Sequence, residues 1–373
     1  MKKLLLVLLI LSLFINHLNA NEKDLQIIQK DKKEYRLLDK ESIQTRQQSQ
    51  KYDWISPIDL SGNIGRNHSF SDENSRNLNN KNTKSASIGF TQSIFESGGI
   101  GFKMDYADNR FKYEMLSWEN QNSQLIYTIY NTLLDIKKLK LEINQNDYRI
   151  VNKDIELIIK KIQYEAGKTD IIELNNAIMS KNLILKEEIA LKNSLKEKEQ
   201  ELAKYTDLKY DEIEILDFQE TNKEIFLDKN YSILEADAKV EKLNSEYKIK
   251  KSQYLPKLSL SAKASYSNQD EKFNSMINDT NKDDASSSGS LILSMPLYDY
   301  TKSSKIQESK IEVLKQKALV NDLKNETAFE YEQICTKIDT YLKQNETINK
   351  NIKLYEELIG ANQISSEAGM TSK

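Results

Sequence analysis

Cysteine, proline, glycine and histidine are all scarce in this 373-residue sequence, and each shortage excludes something. The one cysteine, Cys335, leaves no internal disulfide framework and no cysteine-built metal cage. The histidines are two, His17 and His68, and only His68 lies beyond the first twenty residues. One His and one Cys far apart supply neither a nucleophile–base pair nor a zinc ligand set. Three prolines and ten glycines are too few for a turn-rich globule and favour long helices. The formal net charge of −3 gives no strong pull toward nucleic acid. Beyond the leader, no stretch has 18 consecutive apolar residues. Any later crossing of a membrane therefore has to be made by strands.

The leader is residues 1–20, which read as a signal peptide. Lys2 and Lys3 form its positive start, Leu4 to Ile15 its apolar core, and Leu18-Asn19-Ala20 a small-residue cut. No cysteine follows the cut to carry a lipid anchor.

The rest of the chain is organised around Glu165-Ala166-Gly167-Lys168-Thr169-Asp170. Gly167 is placed to end a helix in the left-handed conformation. Asp170 is placed to cap the next one, with Glu173 three residues on as the capping-box partner. Before the turn, Ile126, Ile129, Leu133, Ile136, Leu139 and Ile143 recur at helical spacing, and the run extends over about 102–164. Some 60 residues make a rod of roughly 90 Å, which no compact domain buries alone. After the turn, Ile171, Leu174, Ile178, Leu185 and Ile189 carry a returning helix to about 205.

Residues 23–52 are helix-prone and stop at Pro57. Ile58, Leu60, Gly62 and Ile64 then alternate with polar residues as a strand. Residues 69–83 read as a polar loop. Alternation resumes at Ala86, Ile88 and Phe90 and ends near Phe95, where Gly98, Gly99 and Gly101 loosen the chain. Residues 207–229 read as a connector. The plan then restarts: a helix over 230–253, a stop at Pro256, a strand through Leu258, Leu260, Ala262, Ala264 and Tyr266, a loop over 267–289, a strand through Leu291, Leu293, Met295 and Leu297, and a helix over 302–366. That helix ends at a second turn, Glu367-Ala368-Gly369-Met370-Thr371. The prolines, the strand exits and the turns recur at a nearly common shift of about 200 positions, which points to an internal duplication. The expected organisation is a first repeat over 21–206 (strands about 57–95, helical hairpin about 102–205), the connector, and a second repeat over 230–373 (strands about 256–298, long helix about 302–366).

Each repeat supplies two strands of about eleven residues, long enough to cross a bilayer when tilted. Four strands cannot close a membrane barrel, and an open edge is not allowed in lipid. Several chains must therefore share one barrel, most simply three chains giving twelve strands.

The order and spacing of these features resemble the TolC-like outer-membrane efflux channel family. Tyr231-Ser232-Ile233-Leu234 through Ala236 and Val240 to Tyr254-Leu255-Pro256-Lys257-Leu258 is similar to its helix-to-strand passage. Met295-Pro296-Leu297-Tyr298-Asp299 is similar to its strand-to-helix exit, and Ala166-Gly167-Lys168-Thr169-Asp170 to its periplasmic helix turn. The resemblance implies a mainly α fold with membrane β-strands: a homotrimer with a 12-stranded β-barrel in the outer membrane of a Gram-negative cell and a long α-helical barrel through the periplasm. It implies a passive duct of a tripartite efflux or type I secretion system, with no enzymatic activity and no cofactor. The expected partners are outer-membrane lipid, a periplasmic adaptor (a membrane fusion protein) and an inner-membrane pump or ABC exporter. It places adaptor contact and closure at the tunnel tips, hence at Gly167, Thr169, Asp170, Gly369 and Thr371. Pro57, Phe95, Pro256, Pro296 and Tyr298 mark the strand boundaries. Set against the family, the return helix of the second repeat is missing after Lys373, which reads as a C-terminal truncation. The alternative reading is a periplasmic coiled-coil adaptor or chaperone-like binding protein.

Among single residues, His68 reads as a lone surface side chain and Cys335 as a small packing residue. Gly98-Gly99-Ile100-Gly101 lacks the phosphate-loop ending and reads as a strand-to-helix transition. Asp170 reads as an N-cap that also sits where an adaptor would touch. The Lys/Glu run from Lys192 to Glu201 reads as a solvated helix face.

Overall fold

A computed structural model describes residues 24–70, 78–214, 221–272 and 279–367. The signal peptide and the second turn, including Gly369 and Thr371, lie outside the described residues. The elements run α1 (Lys30–Lys51), β1 (Asp59–Phe70), β2 (Leu78–Phe95), α2 (Gly99–Glu165), α3 (Ile171–Leu202), α4 (Lys223–Asp228), α5 (Tyr231–Ser252), β3 (Lys257–Lys272), β4 (Asp279–Ser294) and α6 (Lys302–Glu367). The fold is mostly helical with one small antiparallel sheet. No described helix is long and apolar enough to cross a membrane.

The chain divides into two compact units, 1–49 with 114–219, and 50–113 with 220–373. In the first unit the core is built where α1, α2 and α3 carry apolar residues at helical spacing. Ile129, Leu133 and Ile136 are wholly buried, and Trp118 is 2% exposed. The Trp118 indole N–H donates to the Arg36 carbonyl at 2.9 Å, so the large ring is buried with its polar end satisfied. Arg46 of α1 pairs with Glu114 of α2 at 3.0 Å. Between α2 and α3, buried Asn146 donates to the Ile184 carbonyl at 3.3 Å, and Arg149 pairs with Glu187 at 2.9 Å. Lys198 bridges Asp135 at 3.2 Å and Glu201 at 2.9 Å, so the Lys192–Glu201 run is partly an inter-helix contact and not only a solvated face. Toward the turn the apolar residues of the hairpin stay exposed, among them Ile155, Ile158, Ile172 and Leu183.

In the second unit α5 packs on α6 through Val240, Val313 and Val320, with Ala236, Leu243 and Tyr247 around them. Further along α6, Ile334, Tyr341, Ile352 and Tyr355 are exposed, and Cys335 is free and half-buried.

Two expectations about boundaries need correction. The glycines after β2 do not loosen the chain for long, because α2 begins at Gly99 and Gly101 lies inside it. Ser97 with φ +50° and Gly98 with φ +88° make the turn. A Cβ on Gly99 would sit 2.9 Å from the Ser252 hydroxyl and 3.0 Å from Glu96, so glycine permits the close approach of α2 to α5. The strands are also longer than alternation suggested. Residues 69–70, 78–83, 267–272 and 279–289, read as loop, are paired strand. Backbone hydrogen bonds continue the ladder past the point where the apolar pattern stops.

Candidate functional site

Two regions carry the expected functional residues, one in each unit. In the first, the turn is built residue by residue from capping chemistry. Gly167 has φ +70°, and its N–H donates to the Tyr164 carbonyl at 2.9 Å. The Lys168 N–H donates to the Gln163 carbonyl at 2.8 Å. These two bonds are the Schellman pattern, which satisfies carbonyls at the end of α2. Asp170 is extended and its carboxylate accepts from the Glu173 N–H at 2.9 Å, capping α3. The reciprocal half of the expected capping box is redirected. The Glu173 carboxylate accepts from the Thr169 hydroxyl at 2.8 Å and from Lys160 of α2 at 2.5 Å. Those bonds hold the Glu173 carboxyl below its usual range, first through Lys160 and then Thr169, and raise Lys160 correspondingly. The structure thus brings Gly167, Thr169 and Asp170 into one short turn. It also places there Lys160, which no local pattern could signal because it lies thirteen residues before Glu173 on the other helix.

The second region is the sheet, a meander in the order β1-β2-β3-β4 with β1 and β4 as its edges. β2 and β3 pair although α2 through α5 intervene in sequence. One face is apolar: Leu60, Ile88 and Ala264 share a row, as do Leu258 and Leu293, with Leu260 and Leu291 between. Several of these residues and their neighbour Ile64 are exposed: Leu60 is 79% exposed, Ile64 83%, Leu291 66% and Leu293 73%. The apolar positions of β3 run from Leu258 to Tyr266, about 26 Å along the strand at roughly 3.3 Å per residue. The opposite face is lined by small hydroxyls. Ser61, Ser87, Ser265 and Ser286 form one row across all four strands, with Ser61 and Ser87 2.8 Å apart and Ser265 and Ser286 2.8 Å apart. Beside it, Thr91 donates to Ser261 at 3.1 Å.

The boundary residues fall at the helix end of this sheet. Pro57 precedes β1, and Pro256 immediately precedes β3. Phe95 ends β2 after an irregularity between Ser93 and Phe95 that pairs it with Leu258 and so turns it to the apolar face. Pro296 and Tyr298 lie between β4 and α6, and Tyr298 is exposed. Gln92 ties the lead-in to β2: it donates to the Trp54 carbonyl and accepts from the Ser56 N–H, both at 2.9 Å. Each exit carries an acid ahead of its helix. Glu96 pairs with Lys103 at 2.9 Å; burial opposes its charge, but the bonds from Lys103 and Ser93 prevail and its carboxyl lies below the usual range. Asp299 accepts from the Thr301 hydroxyl and N–H, each at 2.8 Å, and is lowered by them. His68 lies in β1, with its side chain outside the described residues. Among the described residues no group of three or more His, Cys, Asp or Glu could hold a metal ion.

Residues 224–373 match the family described as outer membrane efflux protein. A comparison with curated proteins gives no match. Among solved structures, the chain is similar to the outer membrane protein VceC of Vibrio cholerae, with a TM-score of 0.74 at 12% identity, covering 94% of this chain and 85% of that one. It is also similar to the CmeC outer membrane channel of Campylobacter jejuni, with a TM-score of 0.64 at 13% identity over 94% of this chain and 76% of that one. The open-state MtrE outer membrane channel of Neisseria gonorrhoeae gives 0.60 at 12% identity over 90% and 74%. At such identities the likeness speaks of fold, and the family match is confined to residues 224–373. Residues 224–373 thus resemble the outer membrane efflux protein family in sequence, and the fold is that of the TolC-like outer-membrane channels.

Proposed function

We propose that this chain is the outer-membrane channel subunit of a tripartite efflux or type I secretion system, a passive duct across the outer membrane and periplasm. The match of residues 224–373 to the efflux family supports the channel role, and members of that family are ducts without enzymatic activity. The observation that carries the reading furthest is the sheet: four strands with two open edges, an outward apolar face and a hydroxyl-lined opposite face. Open edges and exposed leucines are stable in lipid only when the sheet is closed and its apolar side faces hydrocarbon. Three copies close it most simply, giving twelve strands. The two halves of the chain, 21–206 and 230–373, act as repeats that each contribute a strand pair, joined by the connector 207–229; the first twenty residues direct export.

In this reading the exposed apolar residues of α2, α3 and α6 are covered by neighbouring helices of an α-helical barrel. The turn at Gly167, Thr169 and Asp170 is the tunnel tip that meets a periplasmic adaptor, with an inner-membrane pump or exporter beyond, and Gly369 and Thr371 take the same role in the second repeat. Pro57, Phe95, Pro256, Pro296 and Tyr298 set the boundary between barrel and helices. A periplasmic adaptor or chaperone would have no use for an apolar sheet face. The test is fractionation and electrophoresis of the full chain. The duct reading expects an outer-membrane species that migrates as a trimer and falls to a monomer on heating, with single-channel conductance in planar bilayers. A soluble periplasmic monomer would overturn it.

A further inference from the structure

Near the helix end of the sheet, the hydroxyl-lined face has a row in which charges of both signs occur. Asp59, Gly89, Lys263 and Ser288 pair across β1 to β4 in register. Asp59 and Lys263 are two strand spacings apart, roughly 10 Å between backbones. Between them stands Gly89, which offers no side chain to separate them. A Cβ there would lie 3.1 Å from the Ala262 carbonyl and 3.4 Å from Cβ and Cγ of Lys263, so the Lys263 stem leans across the glycine. Asp59, Gly89 and Lys263 line one open depression of about 440 Å³, together with Ser61, Ser87 and Ser261. The neighbouring row on this face, Ser61-Ser87-Ser265-Ser286, is uncharged, as are Thr91, Ser261 and Ser290 on the other side.

We propose that Asp59 and Lys263 are opposed selectivity determinants of the barrel lumen, each offsetting the other's effect on permeating ions. The inference rests on the channel reading, which makes the hydroxyl face the lumen. In a closed barrel of three chains each charge occurs three times at one height by symmetry. Rings of like charge in a pore favour the counter-ion, and a lining of serine hydroxyls competes weakly with them. Paired in one row, the two rings leave this level of the lumen polar and nearly charge-balanced, suited to passing neutral or zwitterionic solutes.

The test is the reversal potential of the full-length protein in planar bilayers under a KCl gradient. In water a unit charge about 7 Å from a permeating ion changes its local concentration by a factor of about three. Because the charge acts oppositely on cations and anions, Lys263→Gln is expected to shift the cation-to-anion permeability ratio up to about ninefold toward cations. Asp59→Asn is expected to shift it by a similar factor toward anions, the double variant to return it toward the parent, and Lys263→Arg to leave it unchanged. The shifts should shrink in high salt, where the lumen charges are screened within about 3 Å. Conducting variants whose ratios are unchanged, or shift in the same direction, overturn this inference and leave the channel reading standing. A parent protein that conducts nothing overturns both.

Discussion

Lys160, on the outgoing helix, and Glu173, on the returning one, close the turn between them with an Nζ–Oε2 distance of 2.5 Å. The Thr169 hydroxyl joins the same carboxylate at 2.8 Å. Glu173 is held below its ordinary value, so its contribution is present above the unfolded carboxylate range and is lost as pH falls through the lowered value. Lys160 is held above its ordinary value, so its contribution persists until pH rises through that raised value. The turn should therefore be most protected between roughly pH 5 and 10. Amide hydrogen exchange over residues 165–173, measured on both sides of pH 4, should show protection falling in acid. Glu173→Gln should remove that acid limb. An unchanged limb in the variant would mean that another group governs it.

Gly167 is required by backbone geometry and not by space. Its φ is +70°, and a Cβ there would meet nothing within 4 Å. Gly167→Ala should destabilise the hairpin by roughly 1 kcal/mol, and Gly167→Asn by less, because asparagine tolerates the left-handed region. Asp170→Ala should cost about 1 kcal/mol through loss of the cap on α3. Denaturant unfolding followed by circular dichroism reads all three. Equal costs for the alanine and asparagine variants at 167 would contradict the backbone argument.

Trp118 combines deep burial with a hydrogen bond to the Arg36 carbonyl. Trp118→Ala should destabilise the first unit by about 3–5 kcal/mol, and Leu133→Ala by about 2–5 kcal/mol. Trp118→Phe keeps much of the packing and loses the bond to the Arg36 carbonyl, which keeps its donor within α1, at about 0.5–1.5 kcal/mol. Urea midpoints of the three variants should fall in that order, with the phenylalanine variant the mildest.

Much of this architecture is legible in the sequence, and for identifiable reasons. Ile129, Leu133 and Ile136 sit at helical spacing because they face one core. Leu258, Leu260, Ala262 and Ala264 alternate because they share one face of a sheet. Gly167 and Asp170 mark a turn because few residue types suit those two backbone conformations. What was not legible depends on partners distant in sequence. The pairing of β2 with β3, such as Gly89 with Lys263, joins residues separated by the helical hairpin, and no local pattern encodes that register. The polar ends of the strands at 78–83 and 279–289 looked like loops because a ladder is made by backbone groups, which leave no mark in side-chain hydropathy. Glu173 was legible as a capping partner, but its turn toward Lys160 was not.

The two faces of the sheet can be told apart with one charge placed on adjacent residues. Ala264 lies on the apolar face beside Ile88, and Ser265 lies on the hydroxyl face between Ser87 and Ser286. Both belong to β3, an inner strand, so neither substitution touches a sheet edge. In the proposed barrel of three chains, Ala264→Lys would put an ammonium into hydrocarbon, at about 2–4 kcal/mol near the midplane of the bilayer. Three copies in one barrel multiply that cost threefold. Ser265→Lys would put the same ammonium into the lumen, where water solvates it. Expressed in cells, the Ala264→Lys chain should be depleted from the outer membrane and should not give the heat-modifiable trimer, while the Ser265→Lys chain should assemble. Assembly of both, or of neither, would mean that the two faces do not meet lipid and water as assigned. The reverse result would turn the sheet inside out and place the hydroxyl rows against lipid, with the charges of Asp59 and Lys263 among them.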